Sequence, residues 1–359
     1  MDGGRTGLIE AARAFAAREL APQAARWERE RTFPREALRA AAAAGLTQLR
    51  MPGRGLVEVC QVVEALAAED YAFTFALSCH SGAAGTLARA GLDPGPLLRA
   101  DEVGAFCLTE PGAGTDAAAI STAARSGGDG WRIDGVKAWV TNGVAASVLQ
   151  VYAQTEPGAG HRGIAGFVVQ GPQPGLSAGP SYGLTGGNAM GLSDVRFEDC
   201  AALVFAPPGE GFKAALRGID SARAIVAAMC CGMLGRGLEV AVAHVKQRRA
   251  FGRPLAEFQA LQWALADAAT DLEAARRLTY AAAAAIDEGA ADGGVAAAHA
   301  KKFAPAAALR HLAVCVQALG AEGLKDDHPL ARHLACAKMA QIQDGTNEVQ
   351  NLVIARSLM

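Results

Sequence analysis

Apolar positions recur at helical spacing through the first hundred residues. Leu8, Ala12, Phe15 and Leu20 share one face, and Val59, Val62, Val63, Leu66 and Ala67 mark another. A repeat near 3.6 predicts amphipathic helices over 8–100. Pro34 is placed to open one of them, since proline at the first helical position gives up no needed hydrogen bond. Residues 91–96 form a glycine- and proline-rich breaker cluster.

From Ala105 to Phe205 the period shortens toward two. Alternating runs at 131–133, 136–140, 148–152, 164–169 and 195–197 are separated by glycine and proline, which predicts a small, mostly antiparallel β domain. Asp134-Gly135, between the first two runs, reads as a hairpin turn. Beyond Pro207-Pro208-Gly209 the helical period returns, with a stripe of Phe258, Leu261, Leu265, Leu272 and Thr279. Asp287-Glu288-Gly289 and Asp292-Gly293-Gly294 mark an exposed connection, and further helical stretches follow. Long helices with one apolar stripe each pack most economically as a four-helix bundle. The fold class is therefore α+β: an N-terminal helical domain over 1–104, a middle antiparallel β domain over 105–206, and a C-terminal four-helix bundle over 207–359.

Composition narrows the function. Of 359 residues, 51% are hydrophobic and 19% charged, enough for a large core. A net charge of −2 supplies no basic field for nucleic acid. The longest apolar run, 224–234, is shorter than the ~20 residues of a membrane span. Met1-Asp2-Gly3-Gly4 carries no basic stretch followed by an apolar run, so no signal peptide is expected and a cytoplasmic location is. Eight scattered cysteines without a CxxC read as free buried thiols. Seven histidines show neither HExxH nor metal spacing with cysteine, so no metal site is expected.

Gly112-Ala113-Gly114-Thr115-Asp116-Ala117, with Asp134 twenty residues beyond Gly114, imitates a dinucleotide fingerprint. The context is wrong, because a β hairpin follows where a helix and parallel strand are required. What survives is a glycine-rich loop whose backbone a cofactor can approach closely.

Cys107-Leu108-Thr109-Glu110-Pro111-Gly112-Ala113-Gly114-Thr115-Asp116 resembles a signature of the acyl-CoA dehydrogenases. Lys137-Ala138-Trp139-Val140-Thr141-Asn142-Gly143 resembles the second signature. Arg248-Arg249-Ala250-Phe251-Gly252 with Phe258-Gln259-Ala260 resembles a third, and Asp344-Gly345-Thr346-Asn347-Glu348-Val349-Gln350 a fourth. The four occur in order over most of the chain, and the helix–β–helix layout agrees with that family's fold.

The resemblance implies a noncovalent FAD flavoprotein that removes the α-proton and β-hydride of an acyl thioester, with Asp344 as catalytic base. Phe106, Leu108, Thr109, Gly114, Thr115, Trp139, Val140 and Thr141 would line the flavin ring. Arg248, Phe251, Gln259, Gln317, Gly320, Ala321, Thr346 and Glu348 would complete the cofactor cradle, partly across a subunit interface. Thr115, Asp220, Arg223 and Gly345 are its substrate-side candidates. It implies a homo-oligomer, a dimer or tetramer, with electron-transfer flavoprotein or O2 as acceptor, and a thioester carried on coenzyme A or an acyl carrier protein. Without the resemblance, Arg248 reads as a solvated helix-end arginine and Asp344 as a turn cap.

Several residues depart from the family pattern. Asp344 stands where glutamate is usual, so its oxygens retreat by ~1.5 Å, one carbon–carbon bond. The position at which other members carry the base is Ala222, which cannot titrate. Gly320-Ala321 replaces a glycine pair, Ala335-Cys336 an Arg-Asp pair, and Gln343 an aromatic, while 92–101 replaces a longer helix. These point to a specialised, biosynthetic branch with a reshaped mouth. A related flavin oxidase, an acyl-carrier-protein dehydrogenase of polyketide or peptide biosynthesis, and a non-catalytic partner subunit remain as alternatives.

Overall fold

The computed structural model describes residues 3–128 and 130–359; Met1 and Asp2 of the N-terminal reading lie outside them. Helices α1 (Gly3–Phe15), α2 (Ala24–Glu30), α3 (Arg35–Ala43), α4 (Leu56–Ala67), α5 (Tyr71–Arg89) and α6 (Gly95–Leu98) build the first layer. Every residue of the Val59–Ala67 stripe named from the sequence is buried. Pro34 caps α3 from outside, with the first helical residue at Arg35. Asp70 caps α5 by accepting from the Phe73 amide at 2.7 Å, satisfying a donor the helix start leaves open. Gly85 lets α5 lie against the loop after α3: a Cβ there would come within 2.1 Å of the Arg50 carbonyl oxygen. That close approach fixes Arg50 against the side of α5.

Strands β1 (Gly104–Cys107), β2 (Ala123–Gly127), β3 (Gly130–Val140), β4 (Val148–Gln154), β5 (Ile164–Gln170), β6 (Leu176–Ala178) and β7 (Ser193–Ala206) form one sheet. Pairing runs β4–β2–β3–β7–β5 and returns to β4, closing a small barrel with β1 parallel to β4 and β6 on β7. Ile133, Val140, Val151, Phe167, Val195 and Phe197 fill its centre. Asp134-Gly135 is not a hairpin turn. Strand β3 runs straight through it, with the register against β7 slipping between Ile133 and Gly135 as a bulge. Gly135 is required by crowding, since a Cβ would meet the Thr122 side chain at 2.6 Å. The Asp134 carboxylate accepts from Arg125 at 2.6 Å and from the Asp199 amide at 2.9 Å.

Helices α7 (Gly211–Gln247), α8 (Gln259–Asp287), α9 (Gly293–Leu319) and α10 (Pro329–Ala340) pack as a bundle, and α11 (Asn347–Leu358) lies on α9. A two-strand hairpin, β8 (Arg249–Ala250) and β9 (Arg253–Pro254), joins α7 to α8. By length and composition, α7 and the stretch Gly293–Leu324 are apolar enough to cross a membrane. Both are bundle helices whose apolar windows are mostly buried, with alanine permitting close packing. Asp287 ties the bundle to the first layer by accepting from the Leu56 and Val57 amides at 2.6 and 3.1 Å. All eight cysteines are free thiols, Cys79 alone half-buried.

Candidate active site

A cavity of about 570 Å³ opens between α5, α7 and strands β1, β4 and β7. Phe75, Ser78 and Cys79 line one side from α5, spaced so that one helix face looks into it. Ala222, Ile225 and Val226 of α7 form the opposite wall, with Phe106 and Tyr152 from the strands. Asp344 lines the cavity as well. The Ala222 methyl and the Asp344 carboxylate thus share one chamber.

Asp344 sits in the loop between α10 and α11 with φ at +52°, followed by Gly345 at +94°. Aspartate tolerates the left-handed region better than most residues, and strain kept at a non-glycine position marks a geometry held by its surroundings. At Gly345 the backbone conformation itself favours glycine, since a side chain at that φ is strained whatever the space around it. Three donors hold the loop by its carbonyls. Lys301 Nζ of α9 donates to Gly345 O at 2.8 Å, and Gln350 Nε2 to the same oxygen at 2.9 Å. Arg223 Nε of α7 donates to Asp344 O at 3.4 Å, while its Nη1 pairs with Asp220 at 2.8 Å. Thr346 caps α11 by accepting from the Val349 amide. Main-chain carbonyls being held, the Asp344 side chain is left to the cavity, and its Oδ2 is buried without a protein hydrogen-bond partner.

Burial raises the Asp344 carboxyl above the usual carboxylate range, opposed by the cations Lys301, Arg223 and Arg50. Burial likewise lowers the Lys301 ammonium to about 8, and it raises Asp220 against the pull of Arg223. Sequence reading missed Lys301, although it falls on the buried stripe Ala297, Ala300, Lys301, Ala304 and Ala308. It also missed Arg50, Gln150, Arg89 and Arg217, all lining the cavity.

The glycine-rich loop is stitched to β3. Lys137 Nζ, fully buried, donates to Leu108 O at 3.0 Å and to Glu110 at 2.8 Å. Ala138 N donates to Thr109 O at 2.9 Å. Beside this seam Trp139 is 58% exposed with φ at +57°, its ring against Tyr182. Thr141 is buried against Cys79, which puts the seam next to the cavity wall. Thr109 and Thr115 hydroxyls engage no protein partner among the described residues, and Gly112 and Gly114 have open space where a Cβ would stand. An uncovered indole, unengaged hydroxyls and bare backbone suit a flat, polar-edged ring such as a flavin.

Not every residue expected at the ring offers its side chain. Leu108 and Val140 point into packed cores, leaving only main-chain atoms for a ligand. Phe106 lines the cavity and packs on Tyr152. The remaining cofactor candidates lie apart. Arg248 and Gln259 are exposed at the two ends of the α7–α8 hairpin, and Phe251 at its tip is 94% exposed with φ at +50°. Gln317, Gly320 and Ala321 are exposed at the end of α9, and Glu348 is exposed at the start of α11. His80, adjacent to Cys79, is fully buried and binds Leu97 O and Gly104 N, a packing role. Among the described residues no group of His, Cys, Asp and Glu is arranged to hold a metal.

Comparison with known proteins gives one consistent result. Models of the acyl-CoA dehydrogenase N-terminal, middle and C-terminal domains match residues 5–93, 105–200 and 209–359. Probable acyl-CoA dehydrogenase FadE25 of Mycobacterium tuberculosis is 34% identical over 98% of this chain and 94% of its own length. The human mitochondrial short-chain specific acyl-CoA dehydrogenase is 34% identical over 98% of this chain and 89% of its own. The structure of butyryl-CoA dehydrogenase from Megasphaera elsdenii superposes with a TM-score of 0.93 at 32% identity, covering 99% of this chain and 97% of that one.

Proposed function

This chain belongs to the acyl-CoA dehydrogenase family, and on that premise we propose that Asp344 is the base that takes the α-proton of its acyl thioester substrate. The family consists of FAD-dependent oxidoreductases acting on CH–CH bonds, and the bound FAD supplies the acceptor for the β-hydride. The α-proton goes to Asp344, and the pair of electrons left on the α-carbon closes the new double bond.

The observation that carries this reading is the Asp344 carboxylate: the residue lines the cavity, and its Oδ2 is buried and engaged by no protein donor. Burial that raises the carboxyl makes it a stronger base near neutral pH than a solvated aspartate. Lys301, Arg223 and Gln350, acting on the main chain, hold the shorter side chain in place, where a misplacement of ~1 Å costs ~10²-fold in rate. Ala222 on the facing wall leaves no competing carboxylate at that position.

We further propose a homo-oligomer. The exposed residues Arg248, Phe251, Gln259, Gln317, Gly320, Ala321 and Glu348, with the half-buried Thr346, serve the flavin of a second copy, while Thr109, Thr115, Trp139 and Thr141 serve that of their own. The test of the base is anaerobic flavin bleaching by acyl thioesters in wild type and Asp344→Asn. Retained flavin with bleaching slowed by ~10³-fold is the expected result; bleaching at the wild-type rate rejects Asp344.

A further inference from the structure

The cavity contains a cation that nothing in the fold accounts for. Arg50, in the loop between α3 and α4, has its backbone fully engaged: its amide donates to Ser81 Oγ at 2.8 Å, and its carbonyl accepts from Arg89. Its guanidinium lines the cavity that Asp344 also lines. Among the described residues it has no carboxylate within 4.0 Å and donates no hydrogen bond.

A second guanidinium makes the arrangement less favourable. Arg89 lies along the same wall and is satisfied by neutral acceptors, Arg50 O at 3.4 Å and Thr86 Oγ1 at 3.1 Å. With Arg217 of α7, which lines the same cavity, three like charges face one space. The carboxylates that line the cavity are otherwise committed: Glu210 pairs with Lys213 at 2.9 Å, and Asp344 is the proposed base. Arg50 is half-buried, and its planar guanidinium is the group best suited to grip a carboxylate through two parallel hydrogen bonds.

We propose that Arg50 receives a carboxylate carried on the acyl chain, so that the substrate is the monothioester of a dicarboxylic acid. This rests on the acyl-thioester reading above and names its substrate class. It also resolves a conflict within the site. An unpaired Arg50 weakens Asp344 as a base, since a nearby cation favours the ionised carboxylate. A substrate carboxylate on Arg50 removes that opposition only when the correct acyl group is bound, which makes selection part of catalysis.

The experiment pairs succinyl-, glutaryl- and adipyl-CoA with butyryl-, pentanoyl- and hexanoyl-CoA on the FAD-loaded enzyme. Binding is followed by calorimetry and flavin reduction by anaerobic bleaching, in wild type, Arg50→Gln and Arg50→Lys. Wild type is expected to favour at least one carboxylated member over its chain-length partner by about 10²- to 10³-fold. That ratio collapses in Arg50→Gln and is intermediate in Arg50→Lys. A wild-type ratio near or below one in every pair overturns the proposal, as does a preference that survives Arg50→Gln. Failure of both series to bind overturns it too. Arg50-dependent binding of a carboxylated thioester without bleaching supports the carboxylate site and rejects the dehydrogenation chemistry, so the two readings fail separately. Wild-type selectivity decides the matter even if an Arg50 variant does not fold.

Discussion

Lys301, fully buried on α9, donates its ammonium to the main-chain carbonyl of Gly345 at 2.8 Å, one residue beyond Asp344. It therefore acts on the candidate base twice, mechanically through the loop and electrostatically through its charge. Lys301→Met removes both, while Gln350 still holds Gly345 O. Loss of the cation lets burial raise the Asp344 carboxyl further. The acid limb of the kcat/KM profile should move to higher pH, with turnover on the plateau reduced by ~10- to 10²-fold through lost positioning. A pH profile of flavin reduction checks this. A merely structural lysine would lower the plateau and leave the limb in place.

The same ammonium should be visible in stability. Burial lowers it to about 8 in the folded chain, against 10.5 when solvated. Between those two values the unfolded chain keeps a proton that the native chain has released, so the Lys301 contribution to stability rises with pH. Across that span the gain is about 3 kcal/mol. Urea unfolding of wild type and Lys301→Met at pH 8 and pH 10 isolates it, because other alkaline titrations are common to both. Wild type should gain on the variant as pH rises; a constant difference would show that Lys301 titrates normally.

Glu110 and Lys137 pin the glycine-rich loop to β3. Burial alone would raise the Glu110 carboxyl, but Lys137 and the donors at Ser121 and Thr122 hold it down to about 2. With the folded value depressed, its stabilising contribution is complete above the ordinary 4.5 and is lost as pH falls toward 2. Lys137→Met leaves Glu110 buried and unpaired, which costs about 3–5 kcal/mol. Thermal melts should show that loss, and flavin should dissociate more readily because the loop edge carrying Thr109 is released. Glu110→Gln/Lys137→Met, lacking the stranded charge, should recover much of the stability but not the flavin affinity.

What the sequence disclosed follows from which interactions are local. The Val59–Ala67 stripe announces α4 because burial there repeats with the helix itself. Asp134-Gly135 misleads because the dipeptide suits a tight turn and a bulge alike. The choice is made by Thr122 crowding Gly135 and by Arg125 and the Asp199 amide on the Asp134 carboxylate. Asp344 was reachable through its motif, but its unpartnered Oδ2 depends on Lys301, 43 positions earlier, and on Arg223 of another helix. Arg50 gave no local sign. It sits in Leu49-Arg50-Met51-Pro52 like any loop arginine, and it becomes a cavity residue only because Gly85 lets α5 press against it.

Phe251 supplies the test of assembly. It stands at the tip of the α7–α8 hairpin, 94% exposed, in a left-handed conformation that a bulky aromatic adopts only under constraint. Among the described residues its aromatic neighbour is Phe258 at 6.3 Å, itself covered by Arg253. Burying such a side chain at a subunit contact is worth about 1.5–3 kcal/mol, and Leu324, Ile342 and Leu352 are exposed as well. Sedimentation velocity of the wild-type holoenzyme should give a species larger than one chain. Phe251→Asp should shift it toward the monomer and release FAD in parallel, because the hairpin would then fail to reach the flavin of the second copy. A monomeric wild type that retains FAD would mean that the exposed hairpin serves neither purpose, and the cradle would have to be completed from one chain.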